Sequence, residues 1–86
     1  MTTFTTLSGV TFTVEFAKAR PSGYGHYSIY VDVLFHSNKR FAFISTTNNM
    51  PGLDAANELE GQERYEELYL LVASKLDYNI DTFANI

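Results

Sequence analysis

The stretch HYSIYVDVLFH, His26 to His36, alternates apolar and polar side chains over most of its length, with Leu34 the apolar exception on the polar side. Tyr27, Ile29, Val31, Val33 and Phe35 fall on one side, while His26, Ser28, Tyr30, Asp32 and His36 fall on the other. A period of two places alternate residues on opposite faces of a strand, so this segment reads as a half-buried β-strand. Its eleven residues are enough to span a small sheet.

The neighbours on either side repeat the pattern. In VTFTVEFAK, Val10, Phe12, Val14 and Phe16 alternate with Thr11, Thr13 and Glu15; in RFAFIST, Phe41 and Phe43 form the apolar row. A shared apolar face constrains the register, because a slip of one residue turns every side chain over. Pairing Phe16 with Tyr27 and Val14 with Ile29 satisfies it for the first hairpin, with ARPSGYG as a flexible connection punctuated by Pro21, Gly23 and Gly25. Pairing Phe35 with Phe41 and Val33 with Phe43 satisfies it for the second. That leaves HSNKR as the turn, with Asn38 where a positive φ is tolerable. The expectation is a three-stranded antiparallel meander centred on His26–His36, with TTFT near the N-terminus as a candidate fourth strand.

After the turn cluster TTNNMPG the period changes to 3.6. Tyr65, Leu68, Tyr69, Val72 and Leu76 lie at i, i+3, i+4, i+7 and i+11, which predicts an amphipathic helix from about Gln62 to Leu76. Asp54 is the expected N-cap of a short helical turn running to Leu59, ended or bent by Gly61. The stripe and the sheet's apolar face each need cover and are expected to cover each other, with Ile80 and Phe83 extending the contact. The fold class is therefore α+β: an antiparallel sheet followed by one or two C-terminal helices packed on one face, in a single domain over residues 1–86.

With 86 residues the chain is long enough to bury roughly 60–65% of its unfolded surface. It has no cysteine, so disulfides and thiolate metal sites are excluded. The N-terminal segment lacks the basic and apolar regions of a signal peptide, and no run approaches the ~20 apolar residues of a membrane span. The expectation is a soluble, cytoplasmic protein. Residues 1–49 carry four basic and two acidic side chains, whereas residues 50–86 carry two basic and eight acidic ones. The net charge of −4 argues against direct binding to a phosphate backbone, which needs a basic footprint.

No motif for catalysis, metal or cofactor binding is present. His26 and His36, ten residues apart on one strand, are separated by about 33 Å and cannot share a metal ion. Glu63, Glu66 and Glu67 project from the polar side of a helix, where water screens them, so they lack the pocket that a carboxylate acid/base pair requires. The arginine and tyrosines of RPSGYGHYSIY suggest base stacking, but the overall acidity and the small number of cations weigh against it. Nor do the acids imitate a duplex. Seven of them from Glu58 to Asp81 give about one charge per 5 Å, against one per ~1.7 Å in DNA.

Projection on a single helix instead places Glu63, Glu66, Glu67, Asp77 and Asp81 in one arc of about 100°, with Leu70 among them. An apolar residue inside a charged rim has the form of a protein-docking face. On the far side of the sheet Tyr30, Leu34 and Ile44 are expected to lie together across adjacent strands, a second surface for a partner or for a homodimer. The expected function is that of a small, acidic, non-enzymatic protein-binding modulator whose partner presents a basic surface. In size, charge and architecture the chain is similar in general character to phage-encoded inhibitors of bacterial defence enzymes, anti-CRISPR proteins included. That likeness implies an inhibitor of a nucleic-acid-acting host enzyme and brings no site residues with it. The alternative is a structural module that self-associates through the sheet.

Overall fold

In the computed structural model, which describes residues 1–86, four antiparallel strands follow one another in chain order as β1 (Thr3–Thr5), β2 (Thr11–Gly23), β3 (His26–Phe35) and β4 (Arg40–Thr47). Three helices follow: α1 (Met50–Asn57), α2 (Gly61–Leu70) and α3 (Ala73–Ala84). The central strand is β3, and TTFT supplies the fourth strand, so the meander and its helical cover are as the sequence leads one to expect.

All the helices pack on one face of the sheet. Phe12, Val14, Ile29, Val31, Val33, Phe35 and Phe43 form one buried cluster with Leu68, Tyr69, Val72, Leu76 and Ile80. Fully burying side chains such as Ile29, Val72 and Ile80 contributes about 1.5–3 kcal/mol each. Tyr69 sits where three elements meet, with its ring centroid 4.9 Å from that of Phe4 and 5.6 Å from that of Phe12. Phe83 at the end of α3 reaches β4, 5.2 Å from Phe41 and 5.5 Å from Phe43.

The register of the first hairpin departs from expectation. Val14 pairs with Val33, not Ile29, and Phe16 pairs with Asp32, not Tyr27. A bulge at Glu15 inserts one residue between these pairs, and such an insertion inverts the alternation beyond it. Phe16 therefore leaves the core row and packs over the sheet edge on Tyr65, 5.0 Å between ring centroids. Ala17 and Ala19 take up the inward positions. Small inward residues carry no strong periodic signal, which is why ARPSGYG reads as a connection although it is strand as far as Gly23. The true turn is Tyr24–Gly25, and Pro21 is tolerated because β1 ends opposite Thr13 and leaves this part of β2 as an edge.

The second hairpin keeps its faces but shifts by two residues, pairing Val33 with Phe41 and Val31 with Phe43. Asn38 adopts φ +70, and the Phe35 N–H donates to the Lys39 carbonyl, so the loop holds three residues instead of five. A left-handed residue in the last loop position is the usual closure of such a hairpin.

The long helix expected over Gln62–Leu76 breaks at Leu71–Val72. Val72 has φ −125° and its N–H donates to the Tyr69 carbonyl, a tighter i→i+3 turn. The break directs α2 along β2 and α3 along β4, so that one stripe wraps a twisted sheet. The first helix is capped by Asn49, whose side chain accepts from the Gly52 N–H at 3.0 Å, with Pro51 in its first turn. Asp54, the expected cap, lies exposed within that helix, because the NNMPG cluster starts the helix earlier.

Candidate protein-docking surfaces

The charge asymmetry of the sequence becomes a spatial one. All eight acids beyond residue 49 stand on or between helices, whereas Lys18, Arg20 and Arg40 stand on β2 and β4. The cations of the helical layer do not neutralise it. Arg64 donates to the carbonyls of Leu59 and Asn57, and Lys75 to that of Thr46. The one salt bridge, Arg40 to Glu15 at 3.0 Å, is on the sheet.

Because the helix breaks, the five acids do not form a single arc. Glu63, Glu66, Glu67 and Leu70 share the outward ridge of α2, while Asp77 and Asp81 belong to α3. Two of the five are tied to the N-terminal segment. One oxygen of the Glu66 carboxylate accepts from the Gln62 amide and from the Thr2 N–H, both at 2.9 Å. These donors, Gln62 foremost, hold Glu66 below the usual carboxylate range. The same Gln62 amide donates to the Val14 carbonyl at 2.7 Å, just beyond the end of β1. Asp81 accepts from the hydroxyls of Ser8 and Thr6 and is likewise lowered by them, Ser8 first. Glu66 is thus a structural bracket between α2 and the N-terminal segment. Glu63 and Glu67 remain exposed, and Asp77 is half-buried.

Leu70 does have an apolar setting. It is 49% exposed and lines a groove of about 420 Å³ with Phe4, Leu7, Tyr69 and Ala73, where Thr5, Ser74 and Asp77 supply the polar wall. Leu7, at 95% exposure, stands almost free above it. The groove lies between the β1 end of the sheet and the α2–α3 break. Burial raises the pKa of the Tyr69 hydroxyl, and the charge of Asp77 adds to that effect. Leu7 was invisible as a site residue in the sequence, since a single leucine in a loop has no period; only the fold brings it to Leu70.

The outer face of the sheet is less continuous than expected. Tyr30 pairs directly with Ile44, and both are exposed. Leu34 pairs with Thr13 and Arg40, four residues along β3, and Asp32 intervenes on the same face. Lys18 lies 5.7 Å above the Tyr30 ring, a cation–π contact that occupies it. Tyr30, Leu34 and Ile44 therefore make a pair and a separate residue within a charged lattice.

No group of three or more His, Asp or Glu side chains converges in a way that could hold a metal ion, and no helix is long and apolar enough to cross a membrane. Comparison with protein-family models, with curated proteins and with solved structures finds no match.

Proposed function

We propose that this chain is a small, non-enzymatic protein-binding modulator, acting in the cytoplasm through the acidic side of its helical layer on a partner with a basic surface. The observation that carries the reading is the groove itself. An open apolar cleft between Leu7 and Leu70, flanked by the unpaired acids Glu63, Glu67 and Asp77, joins an anchor site to a steering field. In its most specific form the partner is a nucleic-acid-acting defence enzyme, whose basic groove the acids would engage in place of phosphates. The small size and acidity of the chain support that form. Nucleic acid itself is not the proposed ligand.

The test is capture of a partner from a bacterial lysate, followed by kinetics with variants. Leu70→Ala should speed dissociation, because an apolar anchor acts after contact is made. Glu63→Lys with Glu67→Lys should slow association and remove most of its salt dependence. Binding that is indifferent to both changes would remove the groove from the function. The second reading, self-association through the outer sheet, has the exposed Tyr30–Ile44 pair in its favour. It requires that Ile44→Glu or Leu34→Glu dissociate an oligomer while leaving the helical side intact.

A further inference from the structure

The two ends of the long axis carry matching chemistry. At one end the β2–β3 hairpin turns through Tyr24 and Gly25, with φ +52 and +77, between the paired residues Gly23 and His26. Positive φ at both central positions is a type I′ turn, which favours Asn, Asp or Gly. A bulky side chain there is an outlier, because its Cβ crowds the following carbonyl. The Tyr24 ring is also 103% exposed, so no packing within the chain compensates for the crowding. Lys18, Arg20 and His26 flank it, and no acidic residue occurs between Phe16 and Val31. An unpacked aromatic in a disfavoured backbone conformation has no role in holding the fold together. Such outliers concentrate where a side chain serves recognition.

At the other end is the acidic groove. Phe4 beside it pairs with Phe12, and Gly23 lies eleven residue steps along β2 from Phe12. At about 3.3 Å per residue that is ~36 Å, matching the 35 Å length of the molecule. No copy can place its hairpin in its own groove.

We infer that the occupant of the groove is the Tyr24 hairpin of a second copy of this chain. The inference rests on the groove being a docking site and gives it a second occupant, which competes there with the basic partner proposed above. Tyr24 enters between Leu7 and Leu70, its hydroxyl within reach of Ser74 and Asp77, and Arg20 approaches the acidic rim. The tyrosine supplies a large apolar area with a polar end, which is what a cleft with apolar walls and polar rim accepts. The sign of charge is opposite on the two surfaces, so approach is steered. Because hairpin and groove are different surfaces, the contact is heterologous. Each copy gives its hairpin to one neighbour and its groove to the next, which builds a ring or an open chain and not a two-fold dimer.

Sedimentation velocity on the full chain over a concentration series tests this. The expected result is a mean mass that rises with concentration and falls as salt is added. Tyr24→Ser and Leu70→Glu should each sediment as monomers, and their equimolar mixture should form a 1:1 dimer that grows no further. In that mixture the hairpin of the Leu70→Glu copy fills the groove of the Tyr24→Ser copy. Tyr24→Asn serves as the folding control: it should melt higher than the wild type, because Asn suits the turn, and should also be monomeric. A mixture that stays monomeric while the wild type associates would overturn the inference, as would association that survives Tyr24→Asn. A monomeric wild type that still captures a basic partner through Leu70 overturns this inference and leaves the proposed function standing; a monomer whose partner capture ignores Leu70→Glu overturns both.

Discussion

Glu66 and Glu67 are consecutive on α2, and Asp77 and Asp81 are one turn apart on α3, yet within each pair the two carboxylates lead different lives. Glu66 and Asp81 are stitched to Thr2, Gln62, Thr6 and Ser8. Glu67 stands in water, and Asp77 forms the wall of a groove. Helical geometry alone would treat them alike. For Glu66 the difference comes from Gln62, one turn earlier on α2, together with the Thr2 N–H, and for Asp81 from the hydroxyls of Thr6 and Ser8 on the N-terminal segment. The lesson is that a polar helix face is sorted into structural and available groups by the donors its neighbours bring to it.

A carboxylate at a third kind of position sharpens the contrast most. Val72, at 0% exposure, lies just beyond the exposed Leu70. Val72→Asp would bury an unpaired charge and should cost about 4 kcal/mol or more, a large part of the stability of a domain of this size. Near-native thermal unfolding of that variant would show that the α2–α3 break does not dock on the sheet.

The acid limb of the stability curve measures the stitched pair. Both groups have folded pKa values below their ordinary ones, 4.5 for Glu66 and 3.8 for Asp81. The unfolded chain thus binds protons more readily. The stabilisation is complete above those ordinary values and is lost as pH falls through the lower folded ones. Glu66→Gln and Asp81→Asn should each lower the melting temperature at pH 7 by less than Val72→Asp does, and flatten the loss of stability as pH falls below the ordinary carboxylate range. An acid limb as steep in the double variant as in the wild type would mean that other carboxylates carry it.

Glu63→Gln and Glu67→Gln give the smallest expected effect, within about 0.5 kcal/mol of wild type, as for most exposed side chains. A larger loss would place these two among the stitched acids and remove them from the docking surface.

These contrasts also mark what was legible in the sequence. Strong period-two rows fixed the faces of β3 and β4, and the stripe Tyr65–Leu76 identified the residues that the helices bury. The bulge at Glu15 was not legible, because Ala17 and Ala19 are too small to announce an inverted phase. Nor was the break at Val72: Leu70, Leu71 and Val72 form an apolar run compatible with an unbroken helix. At the candidate site, Leu70 with its acidic rim could be read from the helix pattern alone. Leu7 and Phe4 could not, since their partnership with Leu70 depends on where β1 ends up. The two hydrogen-bonded acids looked available in part for the same reason, because the donors Thr2, Thr6 and Ser8, more than sixty residues away, leave no local trace; only Gln62, one turn before Glu66, lies within reach of a local reading.

The early end of β1 has a consequence for colloidal behaviour. Past Thr13, β2 offers unpaired backbone groups along a strand that could template the addition of foreign strands, the first step towards fibrils. The chain guards this margin with several devices at once. The Gln62 amide occupies the Val14 carbonyl, the bulge at Glu15 twists the strand, Lys18 and Arg20 add charge, and Pro21 removes a donor. These devices shield the exposed margin of β2 against strand addition.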